Sequence, residues 1–436
     1  MTAPIVWQHL TEARWFAGKG RSPAPGVVRP LDWLVRTEQL AVRAELVEVV
    51  YPDQSTETYQ VLLSYRDRVL DEAALGTLDV DAVDPQHPAG LVHVHDVLRD
   101  PEALRVLVDV LGQGGEADDW TATVVRPVDL SGEVRVFGGQ QSNTSVMVGQ
   151  EAIVKFFRRL EPGANLDITV HDALGRAGVS AAATLFGWMS AQVLGERVDL
   201  AMVVEMLPGA RDGWQIATDA AAAGQDFTAD AAHLGSALAA VHQALRDTFP
   251  TATLPVGDLA GVLRARLRVA AAEVPALSDL APALDQRLSR LPEATAGGQQ
   301  LATQQIHGDF HLGQTLLTTH GWRIIDFEGE PIKSLEERRA PDSRWRDVAG
   351  MLRSFAYAIS ACPNPTSAEA TAWLQASSSA FVEAYVAGVG DHFGADDQEL
   401  LDSYVADKAI YEVVYESRNR PDWVSIPLGA LRVLAG

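Results

Sequence analysis

Gln304-Gln305-Ile306-His307-Gly308-Asp309-Phe310-His311-Leu312-Gly313-Gln314, closely followed by Ile324-Ile325-Asp326-Phe327-Glu328-Gly329-Glu330-Pro331, is the stretch on which the reading of this chain turns. It is a polar loop set between apolar segments, with one carboxylate at Asp309, an amide at Gln314 and a second carboxylate, Asp326, closing a short apolar run. Thr318-Thr319-His320-Gly321 between the two motifs predicts a hairpin turn. Phosphoryl transfer from ATP needs such a set. A carboxylate must face the acceptor hydroxyl, and oxygen ligands must hold Mg²⁺ against the β- and γ-phosphates. Asp309 suits the first role, Gln314 and Asp326 the second. Either fragment alone occurs by chance in many chains, so their order and short separation carry the reading.

These motifs resemble the aminoglycoside-phosphotransferase and choline-kinase superfamily, and more closely the maltokinase family, where HGD-x-HLGQ and IDFEGEP are the usual wording. Most of the superfamily has Asn where Gln314 stands, so the Gln marks the narrower family. The resemblance implies an α+β, eukaryotic protein kinase-like bilobal fold, with a β-rich N-lobe, a helical C-lobe and an additional N-terminal cap subdomain. It makes Asp309 the catalytic carboxylate and His307 the brace of its loop, with Gln304 and His311 at the substrate, Mg²⁺ on Gln314 and Asp326, and ATP between the lobes. The expected domains are 1–90 for the cap, 91–207 for the nucleotide-binding N-lobe and 208–436 for the helical C-lobe.

The whole composition agrees with a soluble enzyme. The chain has 436 residues, 47% hydrophobic and 21% charged, too long for one core. Lys and Arg number 35 against 58 Asp and Glu, a net charge of −23. That balance argues against nucleic acid or an anionic membrane as partner, since both demand a basic footprint. Cys362 stands alone, which excludes an intramolecular disulfide and suits a small packing residue. No apolar run reaches membrane-spanning length and the N-terminus lacks a signal-peptide pattern, so a cytoplasmic location is expected.

Along the chain, Trp7 to Glu12 predicts a short helix, and Ala13 to Arg21 a turn with packed Trp15 and Phe16 rather than a phosphate loop, because the GxxxxGK[ST] spacing is missing. Alternating β-branched runs at 41–51 and 57–65, separated by Pro52-Asp53-Gln54-Ser55, predict a hairpin. Asp100-Pro101 has the form of a helix start running to Leu111, with Gly112-Gln113-Gly114-Gly115 as a linker. Two further strands flank Gly138-Gly139-Gln140-Gln141-Ser142-Asn143-Thr144, and Lys155 stands on the strand that follows them. Small residues let backbone N–H groups approach phosphate, and a strand lysine can reach the α- and β-phosphates. By resemblance, Lys155, Ser142, Asn143 and Thr144 bind the nucleotide, and the strand from Leu200 to Leu207 offers backbone groups of Val204 and Met206 to adenine. One departure stands out. Where the family has a glutamate to pair the lysine, Asn165-Leu166-Asp167-Ile168-Thr169 presents Thr169, leaving Asp167, Asp172 or no acid for the role.

Ala231 to Leu245 shows helical periodicity, with His242 expected as a hydrogen-bonded core residue because no second ligand stands at metal spacing. Asp347, early on a helix, is implied by the resemblance to brace the catalytic loop. Near the C-terminus, Tyr404, Lys408, Tyr411 and Tyr415 share one helical face and Glu412, Glu416 and Asn419 another. Aromatic rings against a pyranose, with carboxylates for its hydroxyls, are what a sugar site uses. The YE-x₂-YE-x-R-x-RP-x-W wording resembles the maltose-binding end of maltokinases, which implies Tyr411, Glu412, Glu416, Asp422 and Trp423 as substrate contacts.

The expected activity is therefore an ATP- and Mg²⁺-dependent sugar kinase. Family frequency favours maltose as acceptor, giving maltose 1-phosphate. Actinobacterial glucosamine kinases, which phosphorylate the 6-hydroxyl, are a second reading, since Glu412, Glu416 and Asp422 suit a cationic amine. An aminoglycoside phosphotransferase and a non-catalytic partner of a maltose-producing enzyme are further alternatives.

Overall fold

The computed structural model describes residues 3–78, 90–138, 143–193, 195–294, 300–330 and 333–436. Ser142 lies outside the described residues. The chain forms two compact units, one of residues 1–169 with 183–208 and the other of residues 170–182 with 209–436.

The first unit is built on two antiparallel sheets. In one, the strands Leu40–Val50 and Thr56–Arg66 pair along their whole length, from Leu40 opposite Arg66 to Val50 opposite Thr56, around the turn that Pro52-Asp53 marks in the sequence. Successive strand residues face opposite ways, and here both faces are buried. Leu40, Val42, Ala44 and Leu46 enter one core with Leu62, whereas Ala41, Val47 and Val49 enter another with Tyr59, Val61, Leu63 and Tyr65. The N-terminal helix Ala3–Glu12 closes the second core through Val6 and Leu10. Phe16 packs edge-on to Tyr59 at 5.1 Å between ring centroids, so the segment after that helix is a packed turn.

The helix Pro101–Gln113 starts where the sequence signals it, with the Asp100 carboxylate accepting from the Ala103 N–H. It runs through Gly112, and the positive φ values of Gly114 and Gly115 stop it instead of forming a linker. Asp100 is wholly buried and also accepts from Arg66 at 2.6 and 2.7 Å and from Ser64 at 2.7 Å. Burial pushes its carboxyl up, but Arg66, Ser64 and the helix N–H together hold it below the usual carboxylate range.

In the second sheet the described strands run in the order Gly115–Glu116, Trp120–Val124, Leu185–Val193, Glu196–Glu205, Ala152–Phe156, Thr144–Val148 and Val134–Val136. Along Ala152–Phe156 the alternation buries Ala152, Val154 and Phe156 and leaves Lys155 on the other face. The two sheets are tied together. Arg159–Leu160 pairs with the strand Thr56–Arg66, and the buried Gln60 amide donates to the carbonyls of Phe157 and Leu200, both at 3.0 Å.

The second unit is mainly helical. The helix Thr228–Thr248 packs along Ala368–Val389, and Trp345–Ala358 along Ala395–Asn419. Between the helices the strands Thr315–Thr318 and Gly321–Ile324 form the hairpin that separates the two sequence motifs. Cys362 is half-buried and donates to the Ala221 carbonyl, and burial pushes its thiol up. Among the described residues no helix is long and apolar enough to cross a membrane.

Asp100→Ala strands the buried Arg66 guanidinium and removes a helix cap, and should destabilise the first unit by about 3–5 kcal/mol. Glu102→Ala, which removes an exposed partner of the same arginine, should cost at most about 1 kcal/mol. Denaturation midpoints of the two variants check the contrast.

Candidate active site

The Asp309 loop is held from beneath by a buried carboxylate. Asp347, in the first turn of the helix Trp345–Ala358, accepts from the backbone N–H of His307 at 2.7 Å and of Gly308 at 2.9 Å, and meets His242 Nε2 at 3.0 Å. His242 Nδ1 in turn meets the Tyr385 hydroxyl at 2.9 Å, which makes His242 a hydrogen-bonded core residue, as its sequence context suggests. Burial works to raise the Asp347 carboxyl, but His242, His307 and the Gly308 N–H outweigh it and hold the group below its ordinary range.

Gly308 turns the loop at φ +86°, a left-handed conformation natural to glycine. His307 is buried, with Nε2 3.0 Å from the Ile325 carbonyl. That contact requires the proton on Nε2, which frees Nδ1 to accept from the Asp309 N–H at 3.3 Å. Gly350 lets the supporting helix come close, since a Cβ there would lie 2.4 Å from the Phe310 carbonyl oxygen.

Gln314 and Asp326 are brought together by the hairpin. The Ile325 N–H donates to the Gln314 carbonyl at 3.0 Å, and the Gln314 amide reaches Asp326 Oδ2 at 3.4 Å. Asp326 has φ +65°, a conformation that a non-glycine residue holds only when its surroundings impose it. The Glu328 carboxylate, which the sequence reading left unassigned, lies within 4.8 Å of that of Asp326. Carboxylate and amide oxygens grouped in this way suit a hard divalent cation such as Mg²⁺.

A cavity of about 400 Å³ opens in the second unit. The helix Ala395–Asn419 lines it with Lys408, Tyr411, Glu412, Tyr415 and Glu416; His311, Trp214, Tyr357 and Trp423 also contribute. The two helical faces distinguished in the sequence thus share one cavity, except that Tyr404 is buried in the core and Asn419 is exposed, donating to the Tyr415 carbonyl. Tyr411 stacks on Tyr415 and Tyr357 on Trp423. Glu412 is paired with Arg353 at 2.7 Å, yet burial still pushes its carboxyl up. Glu416 accepts from Arg420 at 2.7 and 2.9 Å and from the Tyr357 hydroxyl at 3.1 Å. Burial lowers His311, favouring the neutral ring. Lys408 lies 3.4 Å from Asp309 Oδ1.

Two expected substrate residues stand elsewhere. Gln304, just past the strand Gln300–Thr303 and bridged to Asp342, is buried and spends its amide on the His242 and Gln305 carbonyls, a strut rather than a contact. Asp422 is exposed in the turn after Arg420 and does not line the cavity. Arg353, Tyr357 and Trp214 were not singled out, because nothing in the chain's local pattern marks residues from separate helices that meet only in the fold.

In the first unit, Lys155 Nζ lies 2.9 Å from Asp167 Oδ2, so the acid two positions before Thr169 takes the pairing. The Thr169 hydroxyl donates to the Leu166 carbonyl in its own helix, and Asp172 pairs with Arg176. The side chains of Asn143 and Thr144 accept from Arg158, whose guanidinium is buried and pushed down to about 10 by that burial. Val204 sits in the sheet between Ile153 and Leu185. Met206 donates its N–H to the Glu151 carbonyl at 3.0 Å, so that donor is not free for adenine, contrary to expectation.

Residues 133–376 match the phosphotransferase enzyme family. The chain belongs to that family. Residues 9–100 match the maltokinase N-terminal cap domain, so this phosphotransferase carries the cap expected from its opening segment. It is 32% identical over 312 residues to a glucosamine kinase of Streptacidiphilus jiangxiensis, covering 66% of this chain and 70% of that one. A glucosamine kinase of Mycolicibacterium smegmatis is 30% identical over 318 residues, covering 67% and 77% respectively. Among solved structures, a glucosamine kinase in complex with glucosamine, ADP and inorganic phosphate superimposes with a TM-score of 0.67 at 24% identity, covering 98% of both chains. The kinase-like fold with an N-terminal cap is thereby upheld, as is the phosphotransferase class.

Because the folded Asp347 carboxyl is depressed, its contribution to stability is present above the ordinary aspartate range, about pH 4, and is lost as pH falls below it. Asp347→Asn should therefore be less stable than wild type by about 3–5 kcal/mol near neutrality. The gap should shrink in acid, as read by denaturation at several pH values.

Proposed function

We propose that this phosphotransferase moves the γ-phosphoryl of ATP to a hydroxyl of a small sugar, with glucosamine as acceptor and glucosamine 6-phosphate as product. The observation that carries the sugar is the lining of the aromatic cavity, where stacked rings stand beside two carboxylates. Glu412 and Glu416 line it together with Lys408 and Arg420, and both acids already have an arginine partner, Arg353 and Arg420 respectively. Burial pushes the Glu412 carboxyl up in spite of Arg353, so its charged form gains from a further cation beside it. The ammonium of an amino sugar supplies such a cation, and the stacked tyrosines suit the apolar face of a pyranose. The names of the curated relatives support the same acceptor. The maltokinase-type cap favours maltose as a second reading.

In the proposed mechanism Asp309 orients the acceptor hydroxyl and takes its proton, while His307 and Asp347 fix the loop that carries it. Lys155, held by Asp167, binds the nucleotide phosphates. Gln314 and Asp326, with Glu328 beside them, would hold Mg²⁺, which when bound neutralises phosphate charge. His311, Tyr411, Glu412, Glu416 and Trp423 bind the sugar. The domain scheme proposed for this activity is the cap over 1–90, the nucleotide-binding part over 91–207 and the catalytic and sugar-binding part over 208–436.

The test is ATP consumption over maltose, glucose, glucosamine and an aminoglycoside, with phosphorus NMR of the product. A 6-phosphate on glucosamine is expected; maltose 1-phosphate would move the acceptor, and turnover of no sugar would overturn the proposal. Asp309→Ala should lower kcat by roughly 10²- to 10⁴-fold. Asp326→Asn should raise the Mg²⁺ concentration needed for half-maximal rate, and a chelator should abolish turnover in both proteins.

A further inference from the structure

The catalytic carboxylate has a cation that the proposed chemistry has not yet used. Lys408 extends from the helix Ala395–Asn419 and places Nζ 3.4 Å from Asp309 Oδ1 and 4.0 Å from Glu330 Oε1. Its ammonium also lies 5.5 Å from the centre of the Tyr411 ring. The hydrogen bond it makes goes to Asp309, not to a backbone carbonyl or a core strut. Burial works against the charge on this lysine, but Asp309, Glu330 and Glu412 more than offset it and hold the group above its ordinary value. Lys408 is thus a standing cation at the edge of the sugar cavity.

An acceptor hydroxyl that gives its proton to Asp309 must bring its oxygen within about 3 Å of that carboxylate. The reacting oxygen is then one contact away from Lys408. During transfer the charge at this end of the cavity moves. Asp309 loses its negative charge as the proton arrives, while the transferring phosphoryl carries charge on its equatorial oxygens.

We propose that Lys408 follows that charge, pairing with Asp309 before reaction and with the phosphoryl group on the sugar oxygen during and after it. The sugar O–H proton passes to Asp309, the sugar O–P bond forms, and the bond between the γ-phosphorus and the β-bridging oxygen breaks with its electron pair leaving on ADP. Lys408 keeps its protons throughout. An ammonium at this end also repels a second one, so an amino sugar places its amine toward Glu412 and Glu416 and a hydroxyl toward Asp309. The inference rests on the sugar-kinase reading but not on which sugar is used.

The experiment compares Lys408→Met and Lys408→Arg in the full-length chain, on whichever acceptor the wild type phosphorylates. Lys408→Met should lower kcat by roughly 10²- to 10³-fold, the size seen when one donor to a developing charge is removed. The KM values for sugar and ATP should change by less than about threefold, because the lost contact belongs to the transition state. Lys408→Arg should recover about tenfold or more of the lost rate, since it restores the charge. A Met variant with kcat within about threefold of wild type, or one whose loss falls wholly on the sugar KM, overturns the inference alone. Should the Met variant not fold, Lys408→Gln is judged by the same two constants. A wild type that phosphorylates no sugar overturns this inference together with the functional proposal.

Discussion

Everything at the centre of the second unit depends on one buried negative charge. Asp347 gathers two consecutive backbone N–H groups of the catalytic loop and one imidazole into a single carboxylate. Such a charge is costly to bury and persists because three donors meet its two oxygens. In return the backbone ahead of Asp309 is left with little freedom, and a carboxylate that must meet a hydroxyl at hydrogen-bond distance gains from that rigidity. The His307 tautomer, fixed by the Ile325 carbonyl, carries the same constraint across to the segment that bears Asp326.

The protein is acidic overall, with a net charge of −23. Its cations near the proposed chemistry are accordingly each pinned by an acid: Lys155 by Asp167, Lys408 by Asp309, Arg353 by Glu412 and Arg420 by Glu416. Pairing fixes where these side chains point and limits their affinity for stray anions. It also explains why composition alone shows no basic footprint although the enzyme class handles triphosphates.

Features set by neighbouring residues were legible in the sequence. The hairpin of Leu40–Val50 with Thr56–Arg66, the cap at Asp100, and the hairpin between the two motifs all follow from local alternation and turn chemistry. Features set by tertiary meeting were not. With Thr169 at the family position, the sequence leaves the partner of Lys155 open between Asp167, Asp172 and no acid, and only the fold brings Asp167 to it. Gln304 is a substrate residue by the family resemblance, but the fold buries it and turns its amide to the His242 carbonyl. Arg353 and Tyr357 from one helix meet Glu412 and Glu416 from another, a pairing that no local period encodes.

The bonds of Gln60 bear on how such a protein can be divided. That residue belongs to the cap hairpin, yet its side chain joins Phe157, just past the strand of Lys155, to Leu200 in the other sheet, and Arg159–Leu160 adds itself to the cap's own sheet. Cap and lysine-bearing sheet therefore form one cooperative folding block. A cap removed from such a block takes with it the Gln60 donor of the Phe157 carbonyl and the partner strand of Arg159–Leu160, so the segment serves as architecture whatever sugar the enzyme accepts.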